Sequence, residues 1–207
     1  MESTLDRAIF PRAAAYVEAV GQGLEAHTVA KINADVFEIM RQRFPTLIDG
    51  TKVPTLVSDA FLGRAGKWVP EVVGNTLYLM CRDRGLGSDE AFFDFGYRGT
   101  LELFDRAIYR VIMRVMSPTL VVMGAQKRWG AFHVGSELSP GKASREGDRT
   151  MVRATLRYPA RLFPRLMIDY NAHVFRAAVD SAGAKSSKAS VGNYTDTAAD
   201  IEVSWVA

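Results

Sequence analysis

The sequence predicts an α+β fold in which N-terminal helices are followed by a ββαββ unit with a four-stranded antiparallel sheet. Two observations support this class. Apolar residues recur at helical spacing through the first half of the 207-residue chain. In the second half, segments that alternate between apolar and polar residues flank one long amphipathic segment. We expect a single domain, with a helical part over residues 1–88 and the β-containing core over 89–207.

Proline and glycine set the limits of the helices predicted in the first half. Pro11 fits the first turn of one helix, Pro45 ends another, and Gly85-Leu-Gly87 ends a third. Ser88 and the two acidic residues after it signal a new helix start. We expect helices over residues 11–20, 29–44, 58–68, 72–84 and 99–116, the last being the most strongly amphipathic.

The strands are predicted in the second half, after a helix that begins at Ser117-Pro118 and runs to about Trp129. Residues 149–158 alternate between apolar and mostly basic side chains, which is typical of a half-buried strand. A long helix is expected over 163–182. The other strands are expected over residues 132–138, 185–191 and 200–206, with a turn or loop over 139–148.

The composition is that of an ordinary globular protein. Apolar residues make up 48%, charged residues 24%, and the formal net charge is +3, so neither disorder of the whole chain nor nucleic-acid binding is indicated. With a single cysteine, Cys81, the chain forms no internal disulfide. The N-terminus lacks a signal-peptide pattern and no segment is long and apolar enough to span a membrane. We expect a cytoplasmic protein.

Short stretches in the second half carry a family resemblance: Ser117-Pro-Thr-Leu120, Arg128-Trp-Gly130, Phe132-His-Val-Gly135, Tyr170, Ala177-Ala-Val179, Ala182-Gly-Ala-Lys185 and Asp200-Ile-Glu-Val-Ser-Trp205. They are similar to the first strand and its approach, the last helix and the closing strand of one superfamily. It includes haem-nitric-oxide-binding (H-NOX-like), 4-vinyl-reductase-type and Bet3-like trafficking domains. The nearest resemblance is to uncharacterised myxobacterial members (DUF2378-like), and it covers about residues 90–207.

The resemblance implies a ligand-binding domain, and it makes a haem-binding gas sensor one hypothesis. Haem-binding members carry a proximal histidine and a Tyr-x-Ser-x-Arg motif. This sequence lacks that motif, its nearest text being Tyr158-Pro-Ala-Arg161. The relatives often carry cysteines in the last hairpin, where residues 191–197 here have none. We therefore expect no cofactor.

The sequence shows no catalytic constellation, so we expect a non-enzymatic protein. The three histidines, His27, His133 and His173, are far apart and none has metal-ligand spacing, so no metal site is expected. His173, within the long 163–182 helix, is a candidate ligand for haem or substrate, but we favour an ordinary helical histidine. Cys81 is a candidate acylation site by resemblance to the trafficking relatives, but we favour a buried structural cysteine.

Arginines recur on one face of a helix and one face of a strand. They could form a surface for an anionic ligand, although we favour a solvated face. The arginines concerned are Arg106, Arg110 and Arg114 on the helix, Arg149, Arg153 and Arg157 on the strand, and Arg161 and Arg165 beyond it.

Methionine and aromatic side chains are concentrated on the segments predicted to cover the sheet. Such side chains fill ordinary cores, but they also line apolar pockets. The leading hypothesis is a sensor or adaptor that holds a small apolar molecule, and the alternatives are a protein-interaction domain without a ligand or a haem sensor. We also expect a homodimer formed through the 99–116 helix. The predicted lining residues are Phe104, Ile108, Met123, Trp129, Met167 and Tyr170.

Overall fold

The computed structural model describes residues 5–105, 113 and 116–206, and these form an α+β structure with two antiparallel sheets. The predicted fold class is confirmed. The α-helices of the described residues are α1 (Pro11–Ala19), α2 (Glu38–Arg43), α3 (Thr55–Phe61), α4 (Glu71–Met80), α5 (Asp89–Asp105), α6 (Pro118–Met123), α7 (Ala125–Phe132) and α8 (Arg165–Ser181). The strands are β1 (Lys31–Asn33), β2 (Trp68–Pro70), β3 (His133–Val134), β4 (Glu137–Pro140), β5 (Ser144–Glu146), β6 (Arg149–Arg157), β7 (Lys185–Tyr194) and β8 (Ala198–Val206).

The chain divides into two compact units, and neither is a continuous stretch of sequence. The first unit consists of Met1–Phe92, Ala131–Ser136 and Pro159–Pro164. The second unit consists of Phe93–Gly130, Glu137–Tyr158 and Arg165–Ala207. Two short segments from the second half of the sequence therefore fold with the N-terminal part.

The first unit contains a three-stranded sheet where the sequence predicts only helices. Residues 29–44 do not form one helix, because Lys31–Asn33 is the central strand, paired antiparallel with β2 and β3. The predicted 58–68 helix is likewise shorter, since α3 ends at Phe61 and β2 begins at Trp68. A Cβ at Gly74 of α4 would lie 2.7 Å from Cγ2 of Ile32, so glycine allows α4 to pack directly on β1.

The segment 159–164 is anchored in the first unit by its main chain. The carbonyl oxygen of Leu162 accepts hydrogen bonds from the Tyr16 hydroxyl at 2.6 Å and from Nδ2 of Asn75 at 2.8 Å. Leu162 and Phe163 are fully buried. Asn75 is buried as well, so these hydrogen bonds satisfy polar groups that water cannot reach.

The start of α1 is capped by a distant carboxylate. After α4 the chain continues as a π-helix over Cys81–Leu86, a rare geometry that changes which side chains face inward. Oδ2 of Asp83 there accepts hydrogen bonds from the backbone N–H groups of Arg12 at 2.8 Å and Ala13 at 3.1 Å. Oδ1 is buried and has no hydrogen-bond partner among the described residues. Burial raises the pKa of Asp83, and the two N–H groups and the charges of Arg82 and Arg12 oppose that rise.

The second unit is built on a five-stranded sheet rather than the four-stranded one predicted. Its order is β4-β6-β8-β7, and β5 also pairs with β6. The extra strand is β5, formed by residues 144–146, which the sequence predicts as loop. The predicted 132–138 strand is divided between β4 of this sheet and β3, which pairs with β1 in the other sheet. The predicted ββαββ unit is therefore not confirmed in its details.

Alternation along β6 and β8 gives this sheet one apolar face, as predicted for residues 149–158. Val152 pairs with Val203, and Ala154 with Ile201, and all four side chains are buried. The helix α8 packs against β7 and β8, on an inner side that carries Ile168, Ala177 and Val179 among its buried residues. No helix among the described residues has the length and hydropathy needed to cross a membrane.

The Asp83 cap gives a testable dependence of stability on pH. Because its pKa is raised in the folded state, the folded protein binds this proton more tightly than the unfolded chain. The contribution of Asp83 to the free energy of unfolding should therefore increase as pH falls through the folded pKa, and level off below the ordinary aspartate value of about 3.9. Asp83→Asn keeps an acceptor oxygen but does not titrate, so this rise should be missing.

Urea unfolding between pH 4 and pH 7 would measure this. Asp83→Ala should lose about 1 kcal/mol at pH 7, as is typical for loss of a helix cap, and Asp83→Asn should lose less. Equal losses in the two variants at every pH would show that the carboxylate oxygen does not cap α1.

Candidate functional site

An apolar cluster in the second unit lies where α5, α6 and α8 meet. Its buried members are Met113, Val121 on α6 and Ala178 on α8. Three further side chains pack against these members but stay partly exposed: Phe104, Met116 and Ala182. Ser117 orients the start of α6, since its Oγ accepts a hydrogen bond from the Leu120 N–H at 3.3 Å, as the sequence predicts. We call these six apolar residues the α5–α6–α8 cluster.

The structure brings only part of the predicted lining to this cluster. Phe104 belongs to it, whereas Met167 and Tyr170 lie buried on earlier turns of α8. Trp129 is buried on α7. Met123 is 44% exposed and is not a member. Ile108 lies outside the described residues. The neighbours that the sequence does not single out for this role are Val121, Ala178 and Ala182.

Tyr170 is fixed by a close helix contact. A Cβ at Gly96 of α5 would lie 2.5 Å from Cε2 of Tyr170, so the ring lies directly against the glycine backbone. At the next position of α5 the Tyr97 hydroxyl donates a hydrogen bond to Asp180 of α8 at 2.7 Å. The contact between α5 and α8 is therefore tight at Gly96 and Tyr97.

Arg128 on α7 is a half-buried cation that the sequence interpretation missed. Its Nη2 donates to the carbonyl oxygen of Val121, and no carboxylate within the described residues forms an ion pair with it. Burial lowers the pKa of Arg128, although a guanidinium stays protonated at neutral pH. The sequence gives little signal for it, since Arg128 directly follows the exposed Lys127.

Two arginines of the candidate basic surface, Arg153 and Arg165, pair with carboxylates. On β6, Arg153 forms an ion pair with Glu202 of β8 at 2.6 Å, and Arg149 donates to Oγ of Ser204 at 3.0 Å. Arg165 pairs with Asp169 at 3.1 Å. These contacts support the solvated-face interpretation over an anion-binding surface. The helical set Arg106, Arg110 and Arg114 lies outside the described residues.

Each histidine lies in a different setting. Nε2 of His27 is 2.8 Å from the Ala160 carbonyl oxygen, and Nδ1 of His133 is 3.0 Å from Oε2 of Glu71. His173 stacks on Phe93 with the ring centroids 4.9 Å apart. Burial lowers the pKa of His173, Arg176 lowers it further and Asp169 opposes the change. Within the described part of the chain, no three histidine, cysteine or carboxylate side chains are grouped to hold a metal ion.

Cys81 is fully buried, and burial raises the pKa of its thiol. A thiol in this state is a poor nucleophile, because the thiolate is the reactive form. This placement supports a structural role rather than acylation.

Comparison with known proteins gives a distant structural likeness. No protein-family model matches the chain, and no curated protein does. A mutant of the T. tengcongensis H-NOX domain is 8% identical, with a TM-score of 0.42 over 95% of this chain and 97% of that one. A structure from work on haem distortion in the H-NOX family is 9% identical, with a TM-score of 0.44 over 95% and 94%. A Cs H-NOX mutant is 9% identical, with a TM-score of 0.42 over 92% of both chains.

The similar structures belong to one branch of the superfamily that the sequence resembles, the haem-NO-binding branch. The resemblance to 4-vinyl-reductase, Bet3-like and myxobacterial DUF2378-like proteins is not confirmed. Identities of 8% to 9% and TM-scores of 0.42 to 0.44 do not carry a function from those proteins to this chain.

The close contact at Gly96 is open to a direct test. Gly96→Ala should lower the free energy of unfolding by about 1–3 kcal/mol, because the new methyl group must displace the Tyr170 ring from a filled core. Gly130→Ala is the matched control, since a Cβ there meets nothing within 4 Å. That change should stabilise α7 by up to about 1 kcal/mol through helix propensity.

Chemical denaturation of the two variants and the parent supplies the measurement. A Gly96→Ala protein as stable as Gly130→Ala would contradict the tight α5–α8 contact.

Proposed function

We propose that this protein is a non-enzymatic sensor or adaptor that binds a small apolar molecule at the α5–α6–α8 cluster. The observation that carries the proposal is the incomplete burial of the cluster. Phe104 and Met116 are large apolar side chains that stay partly exposed over the buried core of Met113 and Val121. Flexible methionines adapt to ligands of different shape, so such an edge suits an apolar ligand.

The apolar area at this edge supports only weak binding by itself. Covering roughly 150–200 Å² of apolar surface contributes about 4–5 kcal/mol at about 25 cal/mol per Å². That corresponds to dissociation constants around the millimolar range before any polar contact is added. A polar group beside the cluster would then decide both affinity and selectivity.

Binding of the neutral fluorescent probe N-phenyl-1-naphthylamine tests the proposal. The parent should enhance the fluorescence of the probe saturably, and Ala182→Phe should weaken binding at least about tenfold, because the new ring occupies the exposed edge of the cluster. Ala131→Phe is the matched control, as Ala131 is an exposed helical alanine outside the cluster, and it should bind like the parent.

A third variant separates ligand loss from overpacking. Ala177 is fully buried, so Ala177→Phe should lower stability by about 1–3 kcal/mol in a filled core. If the parent never binds the probe while Ala177→Phe unfolds early, the cluster is an ordinary core and the interaction-domain alternative is favoured.

The first alternative is a protein-interaction domain without a ligand, and the outer face of α6 favours it. Leu120 is 56% exposed and Met123 is 44% exposed, and their i,i+3 spacing places them side by side on the helix. Val121 and Val122 on the same helix are buried, so α6 is apolar on both sides. A second copy of the chain is the partner that we propose for this face. The sequence predicts a homodimer through the 99–116 helix, but residues 106–112, 114 and 115 of that segment lie outside the described residues.

Light scattering at tens of micromolar should therefore give twice the chain mass of 22.8 kDa. Leu120→Glu should return the mass to that of a monomer, because a carboxylate would be buried unpaired in the dimer. Leu62→Glu, at a leucine that is 45% exposed elsewhere, should leave the dimer intact. A monomer mass for the parent would contradict the proposal.

The second alternative is a haem-binding gas sensor, the class to which the similar solved structures belong. The observation in this chain that favours it is His173, which the lowered pKa keeps neutral, the form that ligates metals. Its ring nitrogens make no hydrogen bond among the described residues. Against it, Phe93 covers one face of the ring and the Tyr-x-Ser-x-Arg motif is missing. The residues present do not fit the haem site that the resemblance implies.

Expression with a haem precursor tests the haem-sensor alternative against the other two functions. We expect the purified protein to show no Soret band. A stoichiometric Soret band that disappears in His173→Ala, but persists in His27→Ala, would reverse the order of the proposals and make His173 the haem ligand.

A further inference from the structure

The guanidinium of Arg128 is half-buried and has no anionic partner within residues 5–105, 113 and 116–206. Among the residues that the structure describes, its hydrogen bond goes to the Val121 carbonyl oxygen. Burial alone accounts for its lowered pKa, without any opposing contribution from a nearby carboxylate. Arg153 and Arg165 of the same unit each have a carboxylate within 3.1 Å. Among the described residues, Arg128 differs from these two in that its acceptor is a backbone carbonyl.

An unpaired, partly desolvated charge is costly to maintain. Removing a cation from water without a counter-charge destabilises a fold, and a guanidinium cannot avoid the cost by losing its proton. A guanidinium has five N–H donors, and the Val121 carbonyl oxygen is the acceptor that the described residues supply. A planar anion such as a carboxylate suits the remaining donors.

Arg128 also lies beside the α5–α6–α8 cluster. The residue whose carbonyl oxygen it contacts, Val121, contributes its side chain to the buried part of that cluster. The guanidinium also lies next to Gly124 at the end of α6: a Cβ at that position would be in ordinary van der Waals contact, 3.5 Å and 3.6 Å, with its two terminal nitrogens. One charged group and one partly exposed apolar surface therefore meet at the end of α6.

We propose that the ligand is an amphiphilic carboxylate, with its apolar body on the α5–α6–α8 cluster and its carboxylate hydrogen-bonded by Arg128. This inference rests on the proposed binding function of the cluster and adds the chemical class of the ligand. Its competitor is a purely structural role, since arginines often bond the last carbonyl groups of a helix. If Arg128 only caps the end of α6, its bond to the Val121 carbonyl is explained, but the protein should then bind charged and neutral ligands equally well.

A matched pair of probes separates these roles. Dodecanoate and dodecan-1-ol share the same apolar chain and differ in charge at the head group. Each is titrated, below its micellar concentration, against the protein loaded with N-phenyl-1-naphthylamine. The parent should bind dodecanoate about tenfold or more tightly than dodecan-1-ol, the ratio expected for a charge-assisted hydrogen bond.

Variants then assign the preference to one residue. Arg128→Met keeps an unbranched side chain but removes the charge. The ratio of its dissociation constants for dodecan-1-ol and dodecanoate should fall to about one. Lys127→Met removes an exposed charge from the neighbouring position of the same helix and should keep the parental ratio. Arg128→Lys keeps the charge without the planar donor pair and should recover part of the preference.

The outcomes are distinct. If neither probe displaces the dye, the binding function of the cluster fails and this inference fails with it. If the parent binds both probes equally, or if folded Arg128→Met keeps the preference, the cluster binds ligand but Arg128 only caps α6. Should Arg128→Met not fold, the dodecanoate ratio of the parent compared with that of Arg128→Lys decides the matter.

Discussion

The second unit depends on the pairing of β6 with β8. Nine consecutive residue pairs hold one register, and side chains alternate across each strand. Val152 consequently faces the core with Val203, while Arg153 meets Glu202 on the other side. A slip of one residue would bury the charged set and expose the apolar one. The apolar face must be covered, and α8 covers part of it, which in turn determines where α5 and α6 can pack.

This dependence explains which elements the sequence could predict. Strand β6 and helix α8 are visible because alternation and helical spacing are local patterns, and structure and sequence agree on them to within a few residues. Strand β1 is different. Ile32 lies within a run that has helical spacing, and its strand partners Val69 and His133 are far away in the sequence. Pairing with distant partners overrides local propensity there, and nothing in residues 29–44 alone signals it.

The candidate site was predictable only in outline for a similar reason. Phe104 could be found because α5 is a long amphipathic helix with a definite inner face. Helix α6 has six residues and apolar side chains on both sides, so its pattern cannot separate buried Val121 from exposed Met123. The role proposed for Arg128 depends on its half-buried position and on a backbone carbonyl as its acceptor among the described residues. Neither property can be predicted from the residues next to it in the sequence.

Because the first unit includes segments from the second half of the sequence, it cannot complete its fold until those segments have been synthesised. The first unit needs Ala131–Ser136 for its third strand and Pro159–Pro164 for the carbonyl group that Tyr16 and Asn75 bind. The N-terminal ninety or so residues therefore leave the ribosome well before the segments that complete their core. At about 5–20 residues per second, the buried side chain of Asn75 waits several seconds for its acceptor. During that interval a growing chain of this architecture exposes apolar surface to chaperones and to its own neighbours on the polysome.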